Sequence, residues 1–262
     1  EIILNGPTDK LKLTENTQPA IMTVGVSIFT VLNQHYNLNL NNAKFFAGHS
    51  LGEYTALVCA KSLSLEKAAY LLHERGKAMQ TAVPEGHGLM TAVLGLTIEE
   101  INNEINLLPK EEVCEIANDN CVGQVVVSGT KTANEILNKN LKKIKKRGVV
   151  LPVSAPFHCS LMKSAKEKMK EKINLTEFLE PSPHIISNVT ANAENKIENI
   201  KSLLVEQIIS RVRWRESVNY MVENDVTDFL EIGPGKILSG LVKKINKGVK
   251  ISNISSIEDI NK

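Results

Sequence analysis

Cysteine is scarce in this sequence, and its four copies, Cys59, Cys114, Cys121 and Cys159, show no Cys-x-x-Cys pair and no recurrent spacing. That argues against a zinc site and against a disulfide framework, so no metal ligation is expected and a reducing, cytoplasmic setting fits better. No apolar run approaches the ~20 residues of a membrane span, and no basic-then-apolar signal segment opens the chain. The Asn188-Val189-Thr190 sequon is accordingly expected to stay idle, since glycosylation needs a secreted chain. Charge is nearly balanced at a formal +2, so no global field directs the protein to nucleic acid or to a membrane. No internal repeat or low-complexity segment stands out. Gly233-Pro234-Gly235-Lys236 lacks the Gly-x4-Gly-Lys-Ser/Thr spacing of a phosphate loop and reads as a strand-to-helix turn.

What is present is an ordinary hydrophobic content, 42% of 262 residues, enough for one large domain or two unequal ones. The most informative stretch is Phe45-Phe46-Ala47-Gly48-His49-Ser50-Leu51-Gly52-Glu53-Tyr54, which reads as a strand, a sharp turn and a helix with Ser50 at the apex. Gly48 and Gly52, lacking a Cβ, are both expected to let the chain double back and the helix pack close on the strand. The Ser50 hydroxyl then projects clear of the sheet, and the Leu51 N–H, at a helix start, is free to point at an anion. Such geometry suits a nucleophile attacking a carbonyl. A bare Gly-x-Ser-x-Gly also occurs as a plain surface turn. Here Phe45 to Ala47 before it and Leu51, Thr55, Leu57 and Val58 after it supply the strand and helix that the nucleophile reading requires.

In chain order, Thr17-Gln18-Pro19 reads as a capped helix start, followed by Ala20, Val24, Ile28, Val31 and Leu32 at helical spacing. A second helix begins near Ser64 and runs to Met79. Between Gly86 and Val153 strands are expected at 89–94, 113–117, 124–128 and 149–153, with helices from the Thr97-Ile98-Glu99-Glu100 capping box to about Leu107 and from Thr132 to Lys146. This β-α-β-β-α-β order is that of ferredoxin-like units. The basic run Lys142-Lys143-Ile144-Lys145-Lys146-Arg147 is placed on the second of those helices, as a solvated face or a lure for an acidic partner. After the Ser154-to-Cys159 loop, helices around Leu161 to Met169, Ile200 to Ile208, Val218 to Val222 and Ile237 to Ile245 alternate with strands at 184–187, 226–232 and 249–254. The class expected is α/β, with a mostly parallel sheet covered on both faces in a discontinuous larger domain, 1–85 plus 154–262, and a small subdomain at 86–153. Active sites in such sheets lie at the carboxyl ends of strands, where Ser50 would be.

A serine needs a base within reach, and histidine is the usual choice. Of six histidines, His49 adjoins the serine but is expected to point across the turn, while His35, His73 and His87 have no polar constellation nearby. His184 opens a strand. His158, in a loop just after a strand, is favoured as the base, with Asp228, Glu231 or a backbone carbonyl left open as the group that orients it. Arg75, among His73, Glu74 and Lys77, reads by itself as part of a solvated helix face.

Gly48-His49-Ser50-Leu51-Gly52-Glu53-Tyr54, Arg75-Gly76-Lys77-Ala78-Met79-Gln80, Phe157-His158-Cys159 and Glu231-Ile232-Gly233-Pro234-Gly235-Lys236, taken in order and spacing, resemble one family over essentially the whole chain. It is the malonyl-CoA:acyl carrier protein transacylase family of type II fatty acid synthesis. The resemblance implies an α/β-hydrolase-like core with an inserted ferredoxin-like subdomain, no cofactor, and acyl carrier protein and malonyl-CoA as partners. It implies Ser50 as nucleophile, His158 as general base, Gln207 as the residue whose main-chain carbonyl holds the histidine, and Leu51 N–H as oxyanion donor. It also implies Arg75 as a bidentate clamp on the malonyl carboxylate, reversing the bland reading of that residue. His49, Met79, Asn118, Asn120 and Phe157 are implied around the acyl group, Phe157 crowding an α-methyl branch.

The family opens with a strand and a loop whose glutamine donates a second oxyanion-hole N–H, and this sequence begins after that loop. The chain is therefore expected to lack its natural start, and one missing donor costs about 10²–10³ in rate. The expected reaction is a ping-pong transfer through malonyl-serine to the phosphopantetheine thiol of the carrier. Its rivals are a serine thioesterase or esterase and a non-catalytic carrier-binding module.

Overall fold

The helical spacing from Ala20 to Leu32 produces a long helix, but one that starts a turn before Thr17. In the computed structural model, which describes residues 1–36 and 38–260, α1 (Ile2–Asn5) and α2 (Thr8–Lys12) lead into α3 (Thr14–His35). Thr17 is not the cap. Its hydroxyl donates to the carbonyls of Leu11 and Leu13 and so fastens α2 to the first turn of α3. Pro19 lies inside the helix and has no N–H to offer Glu15. The carbonyl left over at Glu15 accepts from the His73 ring at 3.1 Å.

Next come β1 (Phe45–Ala47), α4 (Gly52–Cys59) and α5 (Leu65–Gln80), the last capped by Ser64, whose hydroxyl accepts from Lys67 N–H. Helices α3 and α5 touch at Gly76, where a Cβ would come within 2.5 Å of Glu15 Cα. No residue with a side chain fits there, and this close approach brings the start of α3 alongside Arg75.

The middle of the chain forms β2 (Gly88–Leu94), α6 (Ile98–Asn106), β3 (Cys114–Cys121), β4 (Gln124–Thr130), α7 (Lys131–Lys143) and β5 (Arg147–Val150). The strands make one antiparallel sheet in the order β3-β4-β2-β5. The capping box is realised, with Thr97 and Glu100 each satisfying the other's backbone N–H. Val93, Leu96, Ile101, Val127, Leu137 and Leu141 close a core drawn wholly from this segment. Several boundaries differ from expectation, including the end of β4 at Thr130 and the start of β5 at Arg147. Strand β3 runs on to Cys121 through two register shifts, so Asn118 and Asn120 lie in it. Helix α7 stops at Lys143 and Lys145 turns back at φ 57°, so the basic run is shared by a helix end, a turn and the start of β5. Strand β5 ends at Val150.

The chain then returns through α8 (Lys163–Leu175), β6 (His184–Ile186), β7 (Ala193–Glu194), α9 (Ile197–Gln207), α10 (Trp214–Glu223), β8 (Asp228–Ile232), α11 (Ile237–Ile245), β9 (Lys250–Ile254) and α12 (Ile257–Ile260). Parallel pairing is present between β1 and β6 and between β8 and β9. These pairs sit in separate sheets, β1-β6-β7 and β8-β9, and β7 is antiparallel, so the expected mostly parallel sheet is divided among the described residues. Helices α3, α4, α5, α8 and α9 bury Met22, Leu57, Leu72, Met169 and Leu204 beside β1 and β6. The middle segment joins this body at Val212, which exchanges backbone hydrogen bonds with Ala117 and Asp119, and at the buried Asp119 carboxylate, gripped by Arg215 at 2.8 to 3.1 Å. All four cysteines are buried and unpaired. Among the described residues no helix is long and apolar enough to cross a membrane.

Candidate active site

Strand β1 delivers the chain to a turn that only part of the Gly-x-Ser-x-Gly pattern shapes. A Cβ on Gly48 would lie 2.0 Å from the Gly52 carbonyl oxygen, so that position must be glycine. Gly52 itself faces open space, with nothing within 4 Å of a built Cβ, which corrects the expectation that both glycines are needed. Ser50 sits at φ 54°, a left-handed conformation unfavourable for a residue with a side chain. Asn188, just beyond β6, holds it there. Its Oδ1 accepts from Ser50 N–H at 2.6 Å and its Nδ2 donates to the Gly48 carbonyl at 2.8 Å. The N–H groups of Gly52, Glu53 and Tyr54 serve the carbonyls of His49, Ser50 and Leu51, while that of Leu51 meets no acceptor among the described residues.

Two distant segments meet the Ser50 hydroxyl. His158 Nε2 lies 2.8 Å from Oγ, and Arg75 Nη2 donates to the same oxygen at 3.0 Å. The other histidine nitrogen, Nδ1, is 2.8 Å from the main-chain carbonyl of Gln207. A carbonyl only accepts, so Nδ1 carries the proton and Nε2 offers its lone pair to the serine. Asp228 and Glu231, left open as orienting groups, are elsewhere. Glu231 accepts from the N–H groups of Leu238 and Ser239 at the start of α11, and Asp228 faces Thr227 and Lys250. His158, itself at φ 59°, has its pKa lowered to about 3, first by burial and then by the Arg75 charge. It is thus a neutral base throughout the physiological range.

Arg75 is 1% exposed, which rules out the solvated-face reading. Its Nη1 donates to Gln18 Oε1 at 2.6 Å and its Nη2 to Gln207 Oε1 at 2.8 Å, while its Nε–H is buried without an acceptor among the described residues. Its guanidinium carbon stands 5.9 Å from the Tyr54 ring centroid. Burial lowers its pKa, opposed by Tyr54 and Glu53. The remaining predicted residues fall into two groups. His49 and Asn120 share a 2.9 Å hydrogen bond beside the serine turn, with the His49 pKa lowered by burial. Asn118 is buried where β3 bridges to Val212, Phe157 is half-buried against the cores on both sides of it, and Met79 lies fully inside the apolar core with α4 and α8.

Three residues of the site escaped sequence reasoning: Gln18, Glu53 and Asn188. Gln18 looked like part of a helix start, Asn188 like an idle sequon. Glu53 had a usable signal, for it stands one helical turn before the buried Leu57, an acid on an apolar face. It is the buried hub of the network, accepting from Asn188 N–H and Gln207 Nε2, and burial pushes its pKa up to about 7 against those two hydrogen bonds and Arg75.

The family model for the acyl transferase domain matches residues 1–260. The chain belongs to the acyl transferase domain family. Among relatives of this acyl transferase, the malonyl CoA-acyl carrier protein transacylase of Bacillus subtilis (strain 168) is 41% identical over 261 residues, covering 99% of this chain and 81% of the relative. The crystal structure of an acyl-carrier-protein-S-malonyltransferase from Bartonella henselae superposes with a TM-score of 0.95 at 43% identity, over 99% of this chain and 83% of that one. A malonyl-transacylase solved in complex with its type II PKS acyl-carrier protein gives a TM-score of 0.94 at 36% identity, over 99% of this chain and 84% of that one. The acyl transferase is therefore a mixed α/β protein of the same shape as the malonyltransferases.

Proposed function

We propose that this acyl transferase carries a malonyl group from malonyl-CoA to the phosphopantetheine thiol of an acyl carrier protein by way of an ester on Ser50. The observation that carries the reading is the double approach to Ser50 Oγ, a neutral imidazole at 2.8 Å and a buried guanidinium at 3.0 Å. The imidazole supplies a base and the guanidinium a charge that selects acyl groups ending in a carboxylate. In the first half-reaction His158 Nε2 takes the Ser50 proton as Oγ attacks the thioester carbonyl. The imidazolium then returns the proton to the departing CoA sulfur, leaving malonyl-serine. In the second, His158 takes the proton of the carrier thiol, the thiolate attacks the ester, and the proton returns to Ser50. Leu51 N–H supports the oxyanion in both. Charge on the imidazolium is opposed by burial and by Arg75, and held by the Gln207 carbonyl, so the transferred proton is returned readily.

The finer architecture follows the same reading. The 86–153 segment is a ferredoxin-like subdomain, supported by its strand order β3-β4-β2-β5 and its private core, inserted in an α/β-hydrolase-like body made of 1–85 and 154–262. Asn118, Asn120, His49 and Phe157 border the acyl group, and Met79 supports Arg75 from the core. CoA is a substrate, and no resident cofactor takes part. Four buried thiols without a disulfide support a cytoplasmic setting.

Intact-protein mass spectrometry after mixing with malonyl-CoA tests the scheme. The expected product is one malonyl adduct on Ser50, discharged by a holo-carrier protein to malonyl-carrier. No adduct sinks the proposal, and free malonate in place of malonyl-carrier makes the protein a thioesterase.

A further inference from the structure

Glu53 is where the separate arms of the site converge. It is 1% exposed, and its Oε2 accepts from Asn188 N–H at 3.0 Å and from Gln207 Nε2 at 2.8 Å. Each donor governs a different part of the machinery. The Asn188 side chain grips both sides of the serine turn, at Ser50 N–H and the Gly48 carbonyl. The Gln207 amide places its oxygen on Arg75 Nη2 and its nitrogen also on the Ser50 carbonyl, while its main-chain carbonyl holds His158. A side-chain amide can turn end for end. With a guanidinium at its oxygen and a carboxyl at its nitrogen, that of Gln207 has one satisfied orientation.

We propose that Glu53 is a positioning residue for the acyl transfer: by accepting from Asn188 and Gln207 at once, it keeps the serine turn, the histidine and the arginine in one register. The inference rests on the reaction proposed above and assigns Glu53 no contact with substrate. What the residue supplies is an acceptor oxygen at the right reach. Burial holds its carboxyl near half-protonated at neutral pH, and either form still presents Oε2 to the two N–H groups. A buried, unsatisfied pair of donors would be costly, so a shorter side chain makes the surroundings shift toward it.

Two substitutions separate reach from charge. Glu53→Gln keeps the length and an acceptor oxygen, whereas Glu53→Asp keeps the carboxyl and withdraws it by one methylene. Thermal melting establishes that each is folded. The readouts are the rate at which a fluorophosphonate labels Ser50, which needs serine and base but no acyl carboxylate, and kcat and KM for malonyl loading. Glu53→Asp is expected to slow labelling and kcat about 10–100-fold with KM within about threefold, and Glu53→Gln to stay within about fivefold of the parent. Gln207→Leu leaves the carbonyl on His158 but removes the amide that Glu53 holds, and is expected to slow labelling about as much as Glu53→Asp. Folded Glu53→Asp at the parental rate, Glu53→Gln slower than Glu53→Asp, or parental labelling in Gln207→Leu each overturns the proposal, the last even where Glu53→Asp does not fold. A parent that takes the fluorophosphonate but no malonyl fails the acyl-transfer reading alone.

Discussion

The segment from Gly88 to Val150 and the walls around Ser50 are both buried, yet they are held by different forces. The first closes over Val93, Ile101, Leu137 and Leu141, with the buried polar pair Thr91 and Asn134 satisfied at 2.8 Å beside that core, and it turns its other buried polar residues, such as Asp119 and Asn120, toward the larger body. The second is a polar assembly in which Gln18, Glu53, Arg75, His158, Asn188 and Gln207 come from α3, α4, α5, a loop, the turn after β6 and α9. Apolar packing is roughly proportional to area and tolerates partial loss. A buried polar network is closer to all-or-none, because each missing member strands its partners. The middle segment should therefore lose stability by degrees when altered, and the site should lose function abruptly.

The sharpest test of that contrast is Ser50→Ala, expected to abolish the malonyl adduct and cut transfer about 10⁶-fold while melting near the parental temperature. Next is Arg75→Ala. Malonyl loading should fall about 10²–10³-fold in competition against acetyl-CoA, because a carboxylate then enters a buried site with no cation. If acetyl fails to gain on malonyl, the clamp assignment is wrong. In the other region Leu137→Ala should cost about 2–5 kcal/mol in urea unfolding, with the molecules that remain folded loading malonyl at the parental rate. A loading rate that falls with stability would show that the two regions are not independent.

A pH series sharpens the comparison further. His158, neutral in the fold down to about 3 but protonated below 6.5 once unfolded, makes stability fall as pH drops below 6.5. Glu53, protonated in the fold up to about 7 but ionised above 4.5 once unfolded, makes stability fall as pH rises above 4.5. Between 4.5 and 6.5 the slopes oppose each other. Glu53→Gln should remove one of them and make the slope of stability against pH more positive than the parent's there, by up to about 1.4 kcal/mol per unit. The smallest effect belongs to Thr97→Ala, which opens the capping box of α6 and should cost about 1 kcal/mol with no change in loading.

The same contrast explains what was legible in the sequence. Local periodicity and caps carried the middle segment, where the order of strands and helices and the Thr97 box fall as expected and element ends moved, among them at Cys121, Thr130, Lys143, Arg147 and Val150. The serine turn was legible because strand, glycine and helix are adjacent in the chain. Glu53, Asn188 and Gln18 were not, because a buried polar residue is recognised by partners that sit far away in sequence. Arg75 alone looked solvated for the same reason, and its placement rested on the family resemblance. The start of α3 was misplaced because Thr17 bonds backward to α2, and the divided sheet because short strands such as β1 and β7 leave pairing to tertiary context.

The four secluded thiols give the molecule a built-in set of clocks. Cys114 belongs to the core of the middle segment, Cys121 to the seam with α10 and α11, Cys159 follows His158, and Cys59 ends the helix that leaves the serine. Alkylation by a slow reagent, read cysteine by cysteine, would order the breathing of each neighbourhood on one time axis without a single substitution.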